Sequence, residues 1–159
     1  MNLSTFLKAS ALSVACALGL ASAHAQTWDF TAATADDYNS STKYFNSTYK
    51  ATDGESEMAL TDFKYHGSSY GGQTSGAANM KFAVSGPTYV SVYVSYNQNT
   101  GATVTLSSDE TASIQTETLP TGDLKNAPGE VKLTYSTAAA TNLSVQSENQ
   151  KEKSPPCSI

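Results

Sequence analysis

Residues 88–96 read TYVSVYVSY, a strict alternation that sets Val90, Val92, Val94 and Tyr96 on one side and Tyr89, Ser91, Tyr93 and Ser95 on the other. Only a strand puts every second residue on a common face, so this stretch belongs to a sheet with one side in a core and the other in water. The preceding residues 79–85 (NMKFAVS) agree, with Met80, Phe82 and Val84 on one face and Lys81 and Ala83 on the other; Gly86-Pro87 places a turn between the two runs. From Trp28 onward no apolar spacing of helical period competes, while short alternating runs recur between clusters of Gly, Asn, Asp and Pro. Further strands are expected at 27–32, 58–66, 101–106, 113–119, 130–135 and 142–146, with polar 36–47 and glycine-rich 67–76 as loops. About eight or nine short strands predict an all-β fold, an antiparallel two-sheet β-sandwich that is jelly-roll-like. Trp28, Tyr96 and Tyr135 are expected on the core side.

Residues 1–25 carry Lys8 as their only charge, an apolar run over 9–21, and Ala23-His24-Ala25 as a small-x-small cleavage site. This is the pattern of a secretory signal peptide, so the mature chain is expected to begin at Gln26 and to be secreted or periplasmic. The run of about 13 residues is shorter than the roughly 20 needed to cross a bilayer, so no membrane insertion is expected after leader removal. Residues 26–147 are then one β-sandwich domain, and 148–159, polar and ending near Pro155-Pro156, a disordered tail. Beyond the leader only Cys157 remains, which rules out an intrachain disulfide. The whole chain has no Arg, and beyond Lys8 eight lysines face fourteen acidic residues. Nucleic acid is a poor partner for such a surface, because phosphate binding rests on clustered Lys and Arg. Ser and Thr together number 42 of 159 residues, in keeping with an exported β-rich domain and at odds with a coiled coil.

Acting on a polysaccharide takes paired carboxylates, a metal with a base, or a basic side chain in a site. Beyond the leader His66 is the sole histidine, so neither a Ser-His-Asp set nor a His-rich zinc motif is present. Asp62, Lys64 and His66 would share one wet strand face under strict alternation, and no catalytic residue is assigned. The acidic turn Asp53-Gly54-Glu55-Ser56-Glu57 offers Asp53, Glu55 and Glu57 as oxygen ligands for a structural Ca²⁺, with Asp36-Asp37 as a second contributor. Sugar recognition needs aromatic rings that stack on a pyranose and polar groups that bond its hydroxyls. Two places supply them. Tyr89 and Tyr93, four residues apart on the wet face, form a platform spanning about 13 Å at 3.3 Å per residue. Tyr65 and Tyr70, with His66 and Gln73, flank the glycine-rich loop.

The order of segments carries a resemblance. Trp28-Asp29-Phe30, then residues 81–92 (KFAVSGPTYVSV), the Gly-led 101–106, Gly129-Glu130-Val131-Lys132-Leu133 and Asn142-Leu143-Ser144-Val145 resemble the non-catalytic β-sandwich modules attached to bacterial pectate lyases and related pectin-degrading enzymes. The resemblance spans about residues 27–147 and rests on alternating strands and turn glycines. It implies a non-catalytic carbohydrate-binding module for plant cell-wall polysaccharide such as pectin, and carries over no lyase activity. Separately, the chain is expected to be a monomer. Two alternatives stand beside it: a structural or adhesin-like secreted subunit whose sheet edges pair with other chains, and the front part of a polysaccharide lyase.

Overall fold

The two alternating runs around Gly86-Pro87 lie in different layers, each turning its apolar face toward the other. The computed structural model describes residues 26–68, 71–94, 102–118 and 129–149. Within them the strands are β1 (Thr48–Lys50), β2 (Glu57–Tyr65), β3 (Gly72–Val84), β4 (Thr88–Val94), β5 (Ala102–Ser108), β6 (Gln115–Thr118), β7 (Gly129–Tyr135) and β8 (Thr141–Asn149). Six of them form one sheet in the order β1-β2-β3-β8-β5-β6, and β4 pairs with β7 in a second. Every pairing is antiparallel. The fold is the expected antiparallel all-β sandwich, and among the described residues its sheets hold six strands and two.

Alternation decides what each layer buries. Met80 and Phe82 of β3, Val104 and Leu106 of β5, and Leu143 and Val145 of β8 meet Val92, Val131, Leu133 and Tyr135 of the smaller sheet in one core. Full burial of each such aliphatic side chain contributes about 1.5–3 kcal/mol. The rest of the large sheet is covered by the N-terminal segment, whose Phe30 ring lies 4.8 Å from that of Phe63, 5.0 Å from Tyr49 and 5.5 Å from Phe45. Trp28, expected in the core, is half-buried at its margin and packs on Phe82 with centroids 5.4 Å apart. Tyr96 lies outside the described residues.

Several local expectations are corrected. Residues 27–32 do not form a strand: the Asp29 carboxylate accepts from the Thr31 N–H at 2.9 Å and caps a 3-10 turn at Phe30–Ala32. Residues 36–47 are not simply a loop, since Tyr38 pairs with Phe45 and Tyr44 with Lys64, extending the sheet edge before β1. The glycine-rich loop is shorter than 67–76, because β3 begins at Gly72. A Cβ on Gly72 would collide with the Phe63 ring, so the glycine there serves packing rather than a turn. Strict alternation also fails in β2, where the register shifts between Thr61 and Phe63 and Asp62 takes φ 52°. That bulge turns Phe63 inward beside Leu60 and leaves Asp62 exposed. Finally, β8 continues past Gln146 to Asn149, and Ser147 is buried opposite Val104. Residues 1–25 and 150–159 lie outside the described residues. Among those described, no helix is long and apolar enough to cross a membrane.

Candidate functional site

The outward face of β4 and β7 follows from the same alternation that builds the core. Val92, Val131, Leu133 and Tyr135 point inward, so Tyr89, Ser91 and Tyr93 of β4 and Glu130, Lys132 and Thr134 of β7 all stand outward and exposed. Antiparallel register sets Tyr89 opposite Thr134, Ser91 opposite Lys132 and Tyr93 opposite Glu130. Tyr89 is 88% exposed and Tyr93 60%; among the described large apolar side chains only Tyr44, at 37%, is also exposed. The two positions lie about 13 Å apart along the strand at about 3.3 Å per residue, with the Ser91–Lys132 pair between them. The Lys132 ammonium lies 3.5 Å from the Glu130 carboxylate.

The platform is held from below and from one side. Beneath it are the buried valines and Leu133, and the Tyr135 hydroxyl donates to the Ala139 carbonyl at 3.0 Å. Along the outer edge of β7 the Gln115 side chain acts as an extra rung: its Oε1 accepts from the Thr134 N–H at 2.8 Å and its Nε2 donates to the Lys132 carbonyl at 3.3 Å. Since Gln115 belongs to β6, this amide ties the small sheet to the edge of the large one. The outcome is a strip carrying two aromatic rings, four hydroxyls (those of Tyr89, Tyr93, Ser91 and Thr134), one ammonium and one carboxylate. Chemically it can stack on the apolar face of a pyranose and bond its hydroxyls, with no pocket required.

The loop candidate is arranged differently. The Tyr65 ring stacks on Tyr38 with centroids 4.4 Å apart and stands perpendicular to Phe45 at 6.0 Å, so one of its faces is taken up by Tyr38 and the ring belongs to the packing. His66 donates its backbone N–H to the Gly71 carbonyl, and its side chain is exposed. Tyr70 lies outside the described residues. Nearby, Tyr44 carries the Lys64 ammonium 4.5 Å from its ring centroid, and Lys43 lies 5.1 Å from that of Tyr38. The acidic turn is organised by its own backbone: the Asp53 carboxylate accepts from the N–H groups of Glu55 at 3.0 Å and Ser56 at 3.2 Å, and Gly54 takes φ 78°. Glu57 opens β2 opposite Lys50. Among the described residues no three His, Cys, Asp or Glu gather as a metal-binding group.

Two ionisable groups are displaced from their ordinary ranges. Burial, reinforced by the Asp37 and Asp29 carboxylates, pushes the Tyr49 phenol up to about 12, while its hydroxyl donates to the Asp29 carbonyl at 2.7 Å. Hydrogen bonds from Lys81 and Asn142 hold the Asp109 carboxyl below the usual range. Both sit away from the β4–β7 strip and serve the scaffold. Lys132 and Glu130 were not singled out from sequence. The alternation of 130–135 marks them as outward, but only the β4–β7 pairing sets them beside the tyrosines. Comparison with models of known protein families finds no match, and comparison with curated proteins finds none either.

Proposed function

We propose that this chain is a secreted, non-catalytic carbohydrate-binding β-sandwich that takes plant cell-wall polysaccharide, such as pectin, on the outward face of β4. One observation carries the reading: the two most exposed large aromatic side chains among the described residues stand on one face of one strand, beside hydroxyls and a charge pair. A soluble domain keeps such rings in water at a cost, and a flat polymer of pyranoses uses them. The resemblance to pectate-lyase-associated modules supports the polymer class. A net-negative surface without arginine argues against nucleic acid as the partner. Export rests on the leader pattern of residues 1–25.

The test is retention in polysaccharide-loaded gels. Wild-type protein is expected to be retarded by pectin or a related wall glycan. Replacing Tyr89 and Tyr93 together by Ala should weaken binding by roughly 5- to 150-fold, taking stacking as about 0.5–1.5 kcal/mol per ring, while the thermal melt stays put. Tyr65→Ala should instead lower the melt, because its ring is part of the packing. Absence of retention across a broad glycan panel, with and without Ca²⁺, overturns the proposal.

A further inference from the structure

Among the described residues β4 has a strand on one side only, β7, and no backbone hydrogen bond along its other edge. Natural sheets blunt such edges, and this one does so elsewhere. β1 is three residues long, ends in Lys50, and is flanked by the bonds Asn46 N–H to Asp37 carbonyl and Thr52 N–H to Thr27 carbonyl. β6 has four residues and carries Glu117. The outer edge of β7 is covered by the Gln115 amide. Among the described residues β4 shows none of these devices, and its seven residues, TYVSVYV, contain no charge and no proline.

Its sequence is also self-complementary. Tyr89-Val90-Ser91-Val92-Tyr93 reads the same in both directions. A two-fold interface requires a surface that complements itself, and an antiparallel pair of strands is the arrangement in which a palindrome matches like with like. We propose that this edge of β4, unpaired among the described residues, pairs antiparallel with β4 of a second copy of this chain, about a two-fold axis at Ser91. Ser91 then faces its own counterpart, Val90 faces Val92 of the second copy, and Tyr89 faces Tyr93 of the second copy. Valine meets valine toward the core side and tyrosine meets tyrosine toward water, the β-branched and aromatic pairings that stabilise sheets. A slip of one residue would turn the second copy's tyrosines to the valine side, so the face each copy presents is specified. No like charges oppose one another, whereas β1 or β6 paired in this way would bring Lys50 or Glu117 toward its own copy. The product is a continuous sheet β7-β4-β4-β7 whose outward face carries four tyrosines, which doubles the sugar platform if that reading holds.

Sedimentation equilibrium of the exported wild-type protein should show its mass doubling with concentration. Ser91→Lys and Ser91→Glu each set like charges across the axis and should raise the dimer Kd by up to about fivefold. An equimolar mixture of the two should dimerise again, a rescue that a merely damaged fold cannot give. In a Cys157→Ser background, Ser91→Cys should form a covalent dimer with oxidised glutathione, because directly opposed Cβ atoms lie about 5 Å apart, close to disulfide reach. Thr118→Cys, exposed on the β6 edge, should react far more slowly. A wild-type protein that stays monomeric at every concentration, or a Ser91→Cys chain that couples no faster than Thr118→Cys, overturns the pairing. The two proposals fail separately: a monomer retained by pectin overturns only the pairing, and a dimer that no glycan retains overturns only the platform.

Discussion

At Gly72 one absent carbon decides whether β3 can begin where it does. The Phe63 ring occupies the space a Cβ would need, and Phe63 is among the most deeply buried residues of the fold. Gly72→Ala is therefore expected to destabilise the protein by about 1–3 kcal/mol through overpacking, read as a lower denaturation midpoint. A melt unchanged by this substitution would show that the ring moves aside freely. From sequence the residue was indistinguishable from its neighbours in a glycine-rich run, since a collision depends on a partner nine positions earlier. Tyr49 supports a second expectation at this scale. Its phenol ionises near 10 in an unfolded chain and near 12 in the folded one. Above pH 10 the unfolded state thus releases a proton that the native state retains, and stability falls as pH rises toward 12. Tyr49→Phe should remove that alkaline loss while costing about 1 kcal/mol at neutral pH for the missing bond to the Asp29 carbonyl. Melts of both proteins across pH 9–12 check the sign; equal alkaline slopes would refute it.

Among the elements, β4, β7 and the second half of β3 were readable in advance because alternation there is unbroken, whereas the first half of β3 fell in the glycine-rich run read as a loop. The outward position of Tyr89 and Tyr93 was legible for the same reason. β2 was expected at 58–66 and lies at Glu57–Tyr65, but its faces were not legible, since the bulge at Asp62 flips the face of everything after it, and that bulge follows from Phe63 joining the aromatic cluster around Phe30. This is also why Tyr65 read as a loop-tip ligand: its stacking partner Tyr38 arrives through a hairpin that polar residues 36–47 do not advertise. The three-residue β1 is held by its neighbours and has too short a pattern to be seen. The layer assignment yields a paired prediction on β7. Leu133→Asp puts a carboxylate into the core and should abolish folding, while Thr134→Asp, one residue on and exposed, should cost little. Circular dichroism melts distinguish them, and similar losses would contradict the two-layer architecture. The length of β8 gives another: ending the chain at Gln146 removes the rungs that Ser147, Glu148 and Asn149 share with Val104, Thr103 and Ala102. A loss above about 1 kcal/mol is expected relative to a chain ending at Asn149, a sizeable share of marginal stability.

For the whole molecule, the relevant quantity is the sign of the field around a nearly neutral strip. The chain carries a formal net charge of −5 at pH 7. The proposed platform itself holds one ammonium and one carboxylate in contact. An acidic glycan is therefore repelled at long range by the molecule while its rings are accepted locally by Tyr89 and Tyr93. Screening acts on the first effect and hardly on the second, because the Debye length falls to about 10 Å at 0.1 M salt whereas stacking operates at contact. Retention on de-esterified, carboxylate-rich pectin is then expected to strengthen as ionic strength rises from low values toward physiological ones. Retention on a fully methyl-esterified or neutral glycan should stay nearly level over the same range. Lys132→Gln removes the only cation of the strip and should weaken retention of the acidic form while sparing the neutral one. Gel retardation at several salt concentrations, run on both glycans with both proteins, separates these outcomes. Binding of acidic pectin that weakens steeply with salt would mean that lysines, not rings, supply the attraction, and would move the site away from β4 toward the Lys43 and Lys64 side of the sandwich.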